Sequence, residues 1–373
     1  MAASTVYLDG PGDKSDNQFM KTKASLTLIL LLLSAAWASA SSKEWWELGY
    51  RPNDRVAATA DLPYAIEANR PRRYMVNITT YLQIQQNPGN ENVRMYMPLP
   101  ADDAYQTVFL FRLSPEPQRI LESRYGYRIA AYDFGPLVRG AMVTLNFDAE
   151  VLVGKLTQPI NPNLVGTFEQ IPEQIRQDYL IDGPLYRIND PEIQGAVREA
   201  VGGETNPYNV MAGIVRYVRR HLHYVMDNKK VDSVTTLRAG SGSCTEYSFL
   251  MIAMARAAGL PARYISGSVV KKGLFTHKSY DRAHHKIVEV YLPNIGWVPV
   301  ESTGGDNNKV VAAPEMSIGA PSARMLFFIH EPEPGLAPLD PRMNILTHIP
   351  YNSGSKVKIT RSETVQWTQL END

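Results

Sequence analysis

The run that follows Cys244, Thr245 through Ala257 (TEYSFLMIAMARA), constrains this chain more than any other stretch. Tyr247, Phe249, Leu250, Met251, Ile252, Ala253, Met254, Ala255 and Ala257 are apolar nearly all round a helical wheel. A helix of that kind is buried on most of its sides. Any fold that contains it must therefore wrap other elements around it. Gly259 with Pro261 stops the helix, and Gly242-Ser243 supplies the flexible turn ahead of it. Cys244 falls in or just before the first turn, where unpaired backbone N–H groups and the positive end of the dipole favour an anion. A thiol so placed is acidified and more nucleophilic at neutral pH, and the same N–H groups can stabilise an oxyanion. From this stretch alone, a small buried residue in a tight strand–helix turn is an equal reading.

Cys244 is the only cysteine among 373 residues. Redox compartment therefore matters. From Met20 the chain reads MKTKASLTLILLLLSAAWASA, with a basic start, an apolar core and Ala38-Ser39-Ala40. This is the layout of a secretory signal peptide cleaved after Ala40, with translation expected to begin at Met20. The apolar core is shorter than the roughly 20 residues of a membrane span, so no stable span is expected after cleavage. A periplasmic or secreted protein is the expectation. In an oxidising compartment a lone cysteine cannot form an internal bridge, which leaves an inert buried thiol, an intermolecular link or a reactive group.

Lys plus Arg and Asp plus Glu balance at 38 each, which gives no electrostatic case for nucleic acid. Removing residues 1–40 takes away Asp9, Asp13 and Asp16 with Lys14, Lys21 and Lys23 and leaves the balance intact. The length is comfortable for two domains. After a lead-in at 41–69, short β-branched and aromatic runs recur at Tyr74–Leu82, Val93–Met97, Val108–Leu113, Tyr127–Tyr132 and Met142–Val153, separated by Gly and Pro. That spacing predicts an all-β sandwich over 70–160. Asp190-Pro191 and Asn206-Pro207 each open a helix, with an N-cap and proline at the first position. The overall expectation is an α+β chain, with 161–373 as the second domain.

A thiol nucleophile needs a base. Ala262 to Val270 reads as a strand, His285 to Leu292 alternates as another, and Trp297 to Glu301 returns as its hairpin partner. Cysteine on a helix, histidine on a strand and an acid on the next strand is the order expected for a thiolate–imidazolium pair with a carboxylate orienting the ring. The hairpin offers a geometric test, because directly opposite residues share a face. A two-residue loop at Asn294-Ile295 turns Glu301 toward the face of His284. A three-residue loop at Pro293-Asn294-Ile295 turns it toward His285, and this is the expected geometry. His284 is the competing base. His221 and His223 flank a helix end and read as structural, and His277 reads as solvated or substrate-side. Arg263 reads as a buried ion-pair or capping residue. Tyr224 is either a second oxyanion donor or a core tyrosine. No histidine has metal-ligand spacing, and a thiolate zinc site is not available with one cysteine.

Gly242-Ser243-Cys244, Arg256 to Arg263 (RAAGLPAR), His285-x-x-x-Glu289-Val290-Tyr291 and Gly296 to Thr303 (GWVPVEST) together resemble the transglutaminase-like superfamily. The upstream Asp190-Pro191, Asn206-Pro207 and Tyr224 resemble the helical lead-in of its bacterial members. The resemblance implies a papain-like core, with a central helix bearing the cysteine and an antiparallel sheet bearing histidine and acid. It also implies a catalytic triad, carried over here to Cys244, His285 and Glu301. Ile287 stands where the family commonly has tryptophan, and Glu301-Ser302 where it has Asp-Pro. The implied activity is amide-bond hydrolysis on a protein or peptide through a thioester, without a cofactor or metal. Transfer to an amine and a non-catalytic binding module are the alternatives. Hydrolysis is preferred because no acidic calcium loop is evident.

Overall fold

The structure of the protein, a computed structural model, describes residues 71–122, 127–226, 231–270, 276–277, 284–303, 317–319, 324–330, 347–349 and 356–370. The signal-peptide region, Met20 and the lead-in lie outside the described residues, as does most of the loop at 271–283. Among the described residues no helix is long and apolar enough to cross a membrane.

The expected early strands form, all but the last longer than expected, with one addition. They are β1 (Arg72–Gln86), β2 (Asn92–Leu99), β3 (Gln106–Ser114), β4 (Arg119–Glu122), β5 (Arg128–Pro136) and β6 (Met142–Val153). The burial of Tyr74, Val76, Ile78, Thr80, Leu82 and Ile84 along β1 follows the two-residue period of a strand with one face in a core. Helices follow: α1 (Glu173–Tyr179), α2 (Pro191–Val201) and α3 (Pro207–His221). Asp190 caps α2 by accepting from the Glu192 N–H at 3.0 Å, and Asn206 caps α3 by accepting from Tyr208 at 2.9 Å. Both prolines stand in the first turn, where no intrahelical donor is lost. Next come β7 (His223–Tyr224), α4 (Ser233–Ala239), β8 (Ser241–Gly242), α5 (Cys244–Ala257) and β9 (Ala262–Val269). The chain closes with β10 (Thr276–His277), β11 (His284–Leu292), β12 (Gly296–Val300), β13 (Met325–His330), β14 (Thr347–Ile349) and β15 (Lys358–Gln369).

Every residue of α5 from Thr245 to Arg256 is buried, as its all-round apolar character requires. Helices α2, α3 and α4 pack on one side of it and strands β9 and β11 on the other. Phe249 sits between Tyr186 and Tyr264, with edge-on contacts at 5.8 Å to each. At the far end Arg256 donates to the carbonyl oxygens of Ala262 and Ile181, closing the turn that Gly259 makes at a φ of +85°. The helix is thereby fixed at both ends.

The sheet under α5 has the order β12-β11-β9-β13. Two other sheets run β10-β15-β1-β6-β3 and β14-β2-β5-β4. The first of these corrects the expected boundary at 160. Strand β15, from the far C-terminus, pairs antiparallel with β1 from Tyr74↔Gln369 to Gln86↔Lys358. Residues 161–373 therefore do not form a domain separate from 70–160. The physical reason is a shared interior: Tyr105 and Leu156 pack into one buried cluster with Ile265, Ile287, Met325 and Phe327. The Gln106 side chain also bonds the N–H and carbonyl of Phe327, at 2.7 and 3.1 Å.

One glycine of the central sheet stands where a side chain has no room. A Cβ on Gly267, the register partner of His285, would lie 2.4 Å from the Leu326 carbonyl oxygen. The obstruction is backbone and cannot swing aside. Gly267→Ala is expected to lower unfolding free energy by about 1–3 kcal/mol, the usual overpacking cost, measured by urea denaturation. An unchanged midpoint would show that the β9–β13 spacing is looser than described.

Candidate active site

The start of α5 is built by a reciprocal cap. The Glu246 carboxylate accepts from the Ser243 N–H at 2.9 Å and from its hydroxyl at 2.5 Å, while the Ser243 hydroxyl oxygen accepts from the Thr245 N–H at 3.4 Å. Cys244 is thus the first helical residue, and it is half-buried. Glu246 was not singled out from the sequence, although the S-x-x-E spacing of Ser243 and Glu246 is a legible capping signal.

The hairpin turns through three residues. Leu292 pairs with Gly296 and Val288 with Val300, so the same register sets Ile287 opposite Glu301. Asn294 takes a positive φ of 66° and Gly296 one of 98°, conformations that suit these two residue types. Glu301 therefore shares the face of His285. The Nε2 of His285 lies 3.0 Å from Oε2 and 3.2 Å from Oε1 of Glu301, and the imidazole also hydrogen-bonds the Cys244 thiol. Cys244, His285 and Glu301, expected together from the sequence, are brought together.

The charges reinforce one another. Burial pushes the Cys244 thiol up, but the hydrogen bond and charge of His285, with the charge and backbone N–H of Lys286, bring it below its ordinary value. Burial likewise disfavours the His285 cation, yet Glu301 and the thiol hold it well above the usual histidine range. Burial would raise the Glu301 carboxyl; the imidazolium and two hydrogen bonds from Thr303 hold it at about 2 instead. Those bonds come from the Thr303 N–H at 3.0 Å and its hydroxyl at 2.8 Å. This is the protonation pattern of a thiolate–imidazolium pair backed by a carboxylate.

Several supporting groups were not found from the sequence. Arg219 of α3 donates to the Glu301 carbonyl at 2.6 Å and to that of Ser302 at 3.3 Å. Ser302 also bonds Ser248 of α5 through their hydroxyls at 3.1 Å. The segment carrying the acid is thus tied to two helices just after it leaves the sheet. Nothing along the chain marked Arg219, one of three basic residues in the last turn of α3. Such residues ordinarily answer the helix dipole.

The other histidines are placed elsewhere. His284 points away from the thiol and bonds the buried Glu363 of β15 through Nε2 at 2.5 Å. His221 bonds the Leu237 carbonyl through Nε2 at 2.7 Å and stacks on Tyr217. Arg263 pairs with Glu289 at 2.7 Å beneath the ring of Trp297, the expected buried ion pair. Tyr224 lies on β7, paired in parallel with Gly242 of β8, and its ring rests 6.2 Å from that of Tyr247. It is therefore beside the turn that leads into Cys244. Among the described residues no group of three or more His, Cys, Asp or Glu side chains could hold a metal ion.

A central buried helix with a thiol at its start, against an antiparallel sheet with histidine and acid on one hairpin, defines a transglutaminase-like core. Residues 194–302 match the family model of the transglutaminase-like superfamily. The chain is 28% identical over 183 residues to an uncharacterized protein of Haemophilus influenzae, covering 42% of this chain and 49% of that protein. It is 38% identical over 74 residues to the uncharacterized protein YebA of Bacillus subtilis, 18% of this chain and 10% of that one. The chain thus spans about half of one curated relative and a tenth of the other. A crystal structure of a candidate cysteine protease from Cytophaga hutchinsonii shares the fold, with a TM-score of 0.56 at 12% identity over 82% of this chain and 92% of that one.

Proposed function

We propose that this protein is an exported cysteine-dependent hydrolase that cleaves an amide bond in a protein or peptide, with Cys244, His285 and Glu301 as its catalytic triad. The observation that carries this reading is the continuous hydrogen-bonded chain from the thiol through His285 to Glu301 at the start of a buried helix. The Cys244 thiolate attacks the carbonyl carbon, and the C–S bond forms as the carbonyl electrons move onto oxygen. The N–H groups of the first turn of α5, with Tyr224 as a further donor, hold that oxyanion. His285 gives its proton to the leaving nitrogen, the C–N bond breaks and a thioester remains. Neutral His285 then takes a proton from water, which attacks the thioester, and the thiolate leaves. The two β-sheets built largely from 72–153, read as a sandwich, would present the substrate protein. Export rests on the Met20–Ala40 segment.

The choice of acceptor is tested directly. Glutamine-containing peptides are incubated with the protein with and without a primary amine, and products are read by mass spectrometry. Hydrolysis predicts a gain of water at the cleaved or deamidated position that persists when the amine is present. Products carrying the amine in place of water would overturn hydrolysis in favour of transfer.

A further inference from the structure

Lys286 has no part in the scheme above, yet its surroundings are unusual. Its side chain is 2% exposed, and its Nζ donates to the Thr245 hydroxyl oxygen at 3.0 Å, in the first turn of α5. Lysine is almost never so deeply buried, because desolvating an ammonium costs several kcal/mol unless charge and hydrogen bonds compensate. The backbone explains how it arrives there. Strand β12 ends at Val300, so the position opposite Lys286 in the hairpin register has no strand partner. The first turn of α5 takes that place, and the Lys286 N–H bonds the Cys244 sulfur instead of a carbonyl. Alternation along β11 then sends His285 to one side of the thiol and Lys286 to the other.

Among the described residues, the ionisable groups that act on the thiol are His285 and Lys286, both from β11, and Glu246 lies in the same first turn of α5. Behind them stand Glu301 after β12, Arg219 of α3 and Tyr224 on β7. Both groups that act on the sulfur are cations, and alternation along β11 sets them on opposite sides. We infer that Lys286 is a positioning residue that supplies a second positive charge and a backbone donor to the Cys244 thiolate, keeping the thiolate formed when His285 is neutral. This rests on the reading of Cys244 as the nucleophile. Its use falls in the second half-reaction. As the thioester C–S bond breaks and its electron pair returns to sulfur, Lys286 stands against the leaving thiolate as a second cation beside the newly protonated His285, and it is the one that remains if His285 loses that proton.

Cys244 is the only thiol in the chain, so alkylation by iodoacetamide reads it without background. Rates are measured against pH for wild type, Lys286→Gln, Lys286→Met and Lys286→Arg, each also in a His285→Ala background. Gln keeps a donor for Thr245 without the charge, and Arg restores the charge. In wild type the thiol should titrate well below about 8.5. Gln and Met should each raise that midpoint by about one unit, a roughly tenfold slower reaction at acidic pH, and Arg should return it. In the His285→Ala background the midpoint should stay below about 8.5, and reach or pass it only when Lys286 is also neutralised. Gln and Met profiles that superimpose on wild type, with a low wild-type midpoint, overturn the role of Lys286 and leave the nucleophile intact. A wild-type midpoint near about 8.5 refutes the nucleophile reading itself. Should both neutral variants fail to fold, Thr245→Val decides: it removes the hydroxyl that holds Nζ, and an unchanged profile there overturns the inference.

Discussion

Cys244→Ala is expected to abolish turnover of any amide substrate, by on the order of 10⁴-fold or more, while leaving the fold and substrate affinity nearly unchanged. The side chain sits at the first position of α5, ahead of the buried run, so its removal opens little space in the core. The Ser243–Glu246 cap that starts the helix does not involve the sulfur. What is lost is the covalent path, since neither water nor a neighbouring hydroxyl can replace a thiolate held against an imidazolium. Steady-state kinetics on a peptide amide, with circular dichroism as the folding control, make the measurement. An alanine variant that keeps a tenth or more of the wild-type kcat would remove Cys244 from the mechanism. A binding module would bind its partner equally well in both forms.

Glu301→Gln is the second large effect, expected to lower kcat/KM by on the order of 10²–10⁴-fold. The amide keeps the shape and can still bond Thr303, but it carries no charge to hold His285 protonated. Glu301 is the leading influence raising His285 well above its usual range. Without it the alkaline limb of the pH–rate profile should move down toward neutrality and the thiolate–imidazolium pair should thin out. Stability should respond with the opposite polarity. A carboxyl depressed to about 2 contributes stability that is complete above its ordinary value of 4.5 and is lost as pH falls from there toward 2. In the Gln variant that acid-side loss disappears. The raised histidine contributes below its ordinary 6.5, and its share fades as pH rises through its folded value. Glu301→Asp should fall between, because the shorter acid cannot keep both His285 and Thr303. Full activity in Glu301→Gln would mean that the imidazole is oriented by something else.

Much of this was legible along the chain. The apolar run after Cys244 required a buried helix, and Gly242-Ser243 with Gly259-Pro261 bounded it. Asp190-Pro191 and Asn206-Pro207 marked two helix starts to the residue, because an N-cap and a proline act through local backbone geometry alone. The odd-length loop at 293–295 and the alternation of β11 were enough to turn Glu301 toward His285. Strand β15 was not legible, since its partner β1 lies nearly three hundred residues away and only the shared interior selects that pairing.

The division between sequence and tertiary structure runs through His284 and His285. They share every local property, and the pattern of residues alone left them competitors. The pleat sends His285 to Glu301 and His284 to Glu363, and only the assembled fold says which of the two meets the thiol. The same holds for Arg219, Thr303 and Lys286, whose value depends on what faces them. Sequence by itself determined a thiol at the start of a buried helix and a histidine–acid hairpin after it, because periodicity and turn chemistry are short-range. Tertiary structure decided how thiol, imidazole and carboxylate meet and which charges surround them, because burial and electrostatic contact are set by groups far apart in the chain.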